Sequence, residues 1–206
     1  MRQPGQGPRR SVVGGERGSV LVISLVLLLA FTLVILGSGQ QLLVEQRIGS
    51  NQSDRQKAFQ LAQLTLAEGE KYVDAQNAGW SSSPDTFSAP YCDKEGLEGL
   101  CNKNGGDQPA WERKSEQQPF GVLHPCGKAR EYASVNPQGK TPIGCNKGKV
   151  TPGTVTWANP RYIVELLDEH YSDPKVSGRL YRITARAWGK NQSTQVTLQS
   201  HYVVPY

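Results

Sequence analysis

Few side chains in this 206-residue chain have reactive chemistry to offer: four cysteines, three histidines and one short acidic cluster. Cys92, Cys101, Cys126 and Cys145 include no Cys-x-x-Cys pair, the spacing that favours zinc, so no metal site is assigned. Their chemistry is oxidation. Three disulfide pairings are open. Pairing near neighbours, Cys92 with Cys101 and Cys126 with Cys145, is favoured because it closes two small loops in a Gly-rich region. Each bridge would contribute about 2–4 kcal/mol by restricting the unfolded chain. His124-Pro125-Cys126 sets an imidazole beside a sulfur, but a sulfur held in a disulfide is no nucleophile. No His/Cys/Asp spacing matches a metal or nucleophile geometry. Asp168-Glu169-His170 and Asp173 read as a solvated acidic turn that lacks the regular oxygen-donor loop of a calcium site. No Gly-rich segment follows a strand and opens a helix, so a phosphate cradle is unsupported. Neither a catalytic residue nor a cofactor is assigned, and the chain is not read as an enzyme.

The remaining chemistry is in the backbone, at peptide bonds an exported chain presents for processing. Residues 19–44 carry no charged side chain. A run of this length, with basic residues only before it, suffices to cross a bilayer once. Arg2, Arg9, Arg10 and Arg17 against Glu16 give the first 18 residues a net +3 of the chain's +5, leaving +2 for the rest. The basic character is thus mostly a leader property, and a nucleic-acid partner is not expected. The same arginines favour a cytoplasmic N-terminus with the remainder exported. All four cysteines then lie where oxidation is normal.

Residues 1–18 read as a targeting leader, excluded from the fold. Residues 19–77 read as one helix, apolar all round at first and amphipathic afterwards, about 88 Å long at 1.5 Å per residue. Gly37-Ser38-Gly39 weakens it locally. Beyond a polar patch at residues 49–53, Phe59, Ala62, Leu66 and Val73, with Gly69 filling a step, mark one helical face. Residues 78–206 read as a globular head. Its first part, 78–153, holds the cysteines and little periodic pattern; short unrecognised elements are expected there, because bare loops of that length are uncommon. Period-2 alternation then predicts strands over 161–168, 179–188 and 193–204, with connections short enough for an antiparallel meander. One sheet face needs a cover, and the stripe Phe59–Ala62–Leu66–Val73 is available for it. Arg182 and Arg186 fall on the opposite, outer face and read as solvated.

This layout, a basic leader ending in Gly, a hydrophobic helix turning amphipathic, a disulfide region and an antiparallel sheet, resembles type IV pilins and, more narrowly, the PilX family of minor pilins. The residues that carry the resemblance are Arg17-Gly18-Ser19-Val20-Leu21-Val22-Ile23 and Glu45-Gln46-Arg47-Ile48-Gly49-Ser50-Asn51-Gln52-Ser53-Asp54-Arg55. Ala58-Phe59-Gln60, Leu66-Ala67-Glu68-Gly69-Glu70 and Tyr181-Arg182-Ile183-Thr184-Ala185-Arg186-Ala187 extend it. It implies an α+β pilin fold and cleavage between Gly18 and Ser19 by a prepilin peptidase, with methylation of the new amine. It implies a single-pass inner-membrane protein that later enters a surface pilus with other minor pilins, the major pilin and a tip adhesin. Such a subunit would prime assembly and support twitching motility, adhesion or DNA uptake. One departure stands out. The resemblance implies Glu at the fifth mature position, where it meets the terminal amine of an adjacent subunit; this chain has Ile23. Other readings are a type II secretion pseudopilin, a permanently anchored periplasmic protein, and a secreted binding protein cut after Gly37-Ser38-Gly39 to begin at Gln40.

Overall fold

No proline interrupts residues 17–80, and Leu, Gln, Ala and Val make up half of them. In the computed structural model they form one helix, α1, Arg17–Trp80. The structure describes residues 17–80, 83–103, 109–116, 119–132, 145–146, 149–150, 153 and 155–206. The leader, apart from its last two residues, lies outside them. The polar patch at 49–53 is helical like its neighbours. By internal contacts the chain divides into Met1–Ser50 and Asn51–Tyr206.

Within the first unit, the described residues are α1 alone. The Ser24 hydroxyl donates to the Leu21 carbonyl at 2.9 Å, and the Thr32 hydroxyl to Leu29 at 2.8 Å. Both hydroxyls are thereby satisfied inside the helix, which an apolar surrounding requires.

The second unit sets α1 from Asn51 onward against a five-stranded sheet. Its strands are β1 (Leu100–Asn102), β2 (Arg130–Glu131), β5 (Arg161–Asp173), β6 (Val176–Trp188) and β7 (Gln195–Pro205). A separate two-stranded ribbon joins β3 (Cys145–Asn146) to β4 (Lys149–Val150). The order is β1-β5-β6-β7, with β2 also on β5. The meander expected from the alternation is present as β5-β6-β7, all antiparallel, whereas β1 joins β5 in parallel. The short elements expected in the region 78–153 are present as β1, β2, β3, β4 and two 3-10 turns, Pro84–Phe87 and Ala110–Glu112, each too short to show a period. One correction follows. The acidic cluster is no turn: Asp168, Glu169, His170 and Asp173 belong to β5, whose register against β6 shifts twice there.

Two cores result, one on each sheet face. Tyr162, Val164, Tyr181, Ile183 and Ala185 face α1 and pack with Val73 and Leu100. Ile163 faces the other way and packs with Cys92, Cys101, Ala110, Val122, Leu123 and Ala129. The disulfide region therefore covers the face that the sequence reading left to solvent.

The helix face that meets the sheet is Ala58, Ala62, Thr65, Gly69 and Val73, all buried. Ala62 and Val73 were expected there. Leu66 is half-buried against the core, and Phe59 stays 43% exposed, a correction to the predicted stripe. The reason is steric. The sheet contributes the bulk, with Tyr162, Tyr181 and Ile183, so the helix must contribute small side chains to come close. At Gly69 an added Cβ would lie 2.7 Å from Ile183 Cγ2 and 3.1 Å from Tyr162 Cδ2.

Candidate assembly surface

Gly18–Ile35 is 18 residues long, apolar enough to cross a membrane, and none of it is buried within the chain. Val20, Ile23, Leu28 and Ile35 are each more than half exposed. Such a rod satisfies its own backbone but leaves its side chains to an apolar environment supplied from outside, lipid or neighbouring helices. Gly18 begins this stretch, and among the described residues a Cβ added there would meet nothing within 4 Å. Ile23 is 56% exposed and carries no charge into the apolar surface.

In the head, the clamp between α1 and the sheet is polar at both ends. Near the start, the Asp54 carboxylate accepts the Lys190 backbone N–H at 2.6 Å, in the β6–β7 loop. Burial raises its pKa, but hydrogen bonds from Lys190, Thr194 and Asn191 and the nearby Lys57 outweigh that, and the net result is below the ordinary 3.8. Gly189 makes the approach possible: a Cβ there would lie 2.5 Å from Asp54 Oδ1. Further on, Tyr202 donates its hydroxyl proton to Asp74 at 2.8 Å, and Tyr181 to Asn77 Oδ1 at 2.6 Å.

The outer face of the sheet holds charges that the sequence reading left in water. Glu165 is fully buried and accepts Arg182 Nε and Nη2, each at 2.8 Å. Arg113 lies 4.0 Å from the same carboxylate and donates to the carbonyls of Pro90, Asn102 and Lys103. Arg182 also lies 5.2 Å over the Trp111 ring. Burial lowers the Arg113 pKa, and the Glu165 charge opposes that. Arg161 is buried too, donating to the carbonyls of Gly127 and Ala129 and to Glu131. Arg186 donates Nε–H to Thr197 at 2.9 Å, so neither Arg182 nor Arg186 is simply solvated. Glu165 and Arg182 are register partners on β5 and β6. Opposite charges in phase on two predicted strands were the available signal.

Cys92 and Cys101 form a disulfide, as the near-neighbour pairing expects. Cys126 is disulfide-bonded as well, while the side chain of Cys145 lies outside the described residues. The histidines are placed in structural roles. His124 Nδ1 accepts the Cys126 N–H at 3.1 Å, and its ring stacks on Phe120 at 4.7 Å. Burial, and then the charges of Arg161 and Arg186, lower its pKa. His170 Nδ1 meets the Tyr206 hydroxyl at 3.1 Å, and His201 is exposed on β7. Asp168 and Asp173 accept the backbone N–H groups of His170 and Lys175.

The first unit thus presents an exposed apolar helix, and the second a sheet with a buried core on each face. A family model described as PilX N-terminal matches residues 17–67. A second, described as Type IV pilus assembly protein PilX C-term, matches residues 97–204. Neither a curated protein nor a solved structure matches the chain. The two family matches take in the exposed apolar helix at one end and all three strands of the meander at the other, and the chain belongs to the PilX family of type IV pilus minor pilins.

Proposed function

We propose that this minor pilin primes type IV pilus assembly and is incorporated at or near the pilus tip. The observation that carries the proposal is Ile23. Cleavage between Gly18 and Ser19 creates an amine at Ser19, and residues 19–44 hold no carboxylate to neutralise the amine of an adjacent subunit. A subunit with no neighbour above it has no such amine to meet, and omitting the carboxylate removes a large desolvation cost inside lipid. In this reading the precursor crosses the inner membrane once, with its N-terminus in the cytoplasm, and a prepilin peptidase processes it. The amine is then methylated. An external motor drives the rod from lipid into a bundle of like helices. Both surroundings are apolar, so packing and polar pairing decide the transfer. The head contacts other minor pilins, the major pilin below and a tip adhesin, and the assembled pilus serves twitching motility, adhesion or DNA uptake.

N-terminal sequencing of the chain recovered from sheared pili tests the processing step. A start at Ser19 is expected; a start at Gln40, or an uncut chain, would sink the proposal. Ile23→Glu tests the position: it should lower the number of pili per cell without changing the amount of membrane-held protein. An unchanged pilus count removes the argument for the tip.

A further inference from the structure

Strand β7 is one edge of the sheet. It pairs with β6 along its whole length, and among the described residues no strand pairs with its other side. The pairing runs from Gly178↔Pro205 to Trp188↔Gln195 without a register shift, so this edge is regular, unlike β5. Sheets usually guard such edges with Lys, an inward charge, a bulge or Pro. Before its last residue β7 uses none of these: Gln195–Val204 contains no Lys, Arg, Asp, Glu or Pro. An edge this long and this bare invites pairing with another chain unless something covers it.

A groove of about 710 Å3 runs between β7 and α1. Phe59, Val196 and Leu198 give it an apolar floor, and Arg55 is the one charged side chain in its lining. Among the described residues Arg55 has no ion pair. The exposed Phe59 ring, unexplained by the head's own packing, is explained as part of this floor. An added strand needs backbone groups to pair with, spaced apolar pockets and a charge to set its register. All three are present. Because β7 has no carboxylate of its own, the β7 of a second copy does not supply an anion for Arg55.

We propose that β7 and this groove bind an extended segment of a different polypeptide, added as a further strand. Its alternate apolar side chains rest on Phe59, Val196 and Leu198, and a carboxylate on it pairs with Arg55. The proposal does not depend on cleavage at Gly18. The test uses the full chain in detergent micelles with synthetic peptides of about ten residues, long enough to span β7. The first alternates valine and threonine around a central glutamate; the second has lysine in place of the glutamate; the third has a central proline. Amide hydrogen exchange of residues 195–205 is the readout. The glutamate peptide should slow that exchange about tenfold at saturation, by closing the open edge. The lysine peptide should bind about fivefold more weakly, the scale of an exposed ion pair. Arg55→Glu should reverse the order of those two peptides, which also shows that the variant is folded. The proline peptide should not bind, since it breaks the ladder. Failure of every peptide to slow exchange would overturn the proposal, as would an order that Arg55→Glu leaves unchanged. Protection that grows with protein concentration, without peptide, would make a second copy the occupant instead.

Discussion

Glu165 is the residue on which the outer half of the head turns. A fully buried carboxylate is costly unless it is paired, and Arg182 and Arg113 are both within reach of it. Glu165→Gln keeps the shape and removes the charge, leaving two guanidinium groups facing each other without an anion. Unfolding of the full chain followed by heat should show a loss of about 3 kcal/mol, the usual cost of breaking one side of a buried pair. Asp54 gives a second, pH-dependent signal. Its folded pKa is depressed, so its contribution is present above the ordinary value of 3.8 and is lost as pH falls below that through the folded value. The midpoint of thermal unfolding should therefore drop on acidification below about pH 4 by more in the native chain than in Asp54→Asn. Equal acid sensitivity in the two proteins would contradict the clamp between Asp54 and the β6–β7 loop. Neither role was legible from residue type. Glu165 sits in an apolar run, and only its register with Arg182 shows what it does.

At the scale of elements, the contact between α1 and the sheet is set by its smallest residue. Gly69 costs helix stability of about 1 kcal/mol relative to Ala, so its place in mid-helix asks for a reason. The reason is the approach of Ile183 and Tyr162. Gly69→Val should cost about 1–3 kcal/mol by overpacking and should speed amide exchange in β6, which faces it. A variant as stable as the native chain would mean that α1 moves away at no cost. The disulfide region is the other element that packing explains. Cys92 and Cys101 lie within the second core, and β1, which carries Cys101, pairs with β5. Replacing both cysteines by serine should lower stability by about 2–4 kcal/mol and loosen residues 89–103 before the rest of the head. Helix existence and the three long strands were readable because their periods, 3.6 and 2, are local. β1 and β2 are three and two residues long, and no period can be read from so few. The helical face was misjudged by about one position at Phe59 for a related reason. Periodicity marks where apolar residues recur, while the bulk already supplied by Tyr162 and Tyr181 decides which of them fit underneath.

For the molecule as a whole, the division of labour follows the range of the forces. An uncharged run of membrane-spanning length, basic residues on one side of it, and cysteines only beyond it are properties of the chain in any conformation. They were enough to mark one helix long and apolar enough to cross a membrane, and export and anchoring rest on that reading. The same holds for the missing charge at position 23, since the absence of a carboxylate is visible without a fold. Which surfaces end up covered is a different matter. Burial of Glu165, exposure of Phe59 and the bare edge of β7 each depend on residues far apart in the chain arriving at one place. Desolvation and steric fit act only after that arrival, so no local pattern records them. Tertiary structure alone turned a sheet with one expected cover into one with two, and left the edge of β7 without a strand beside it among the described residues.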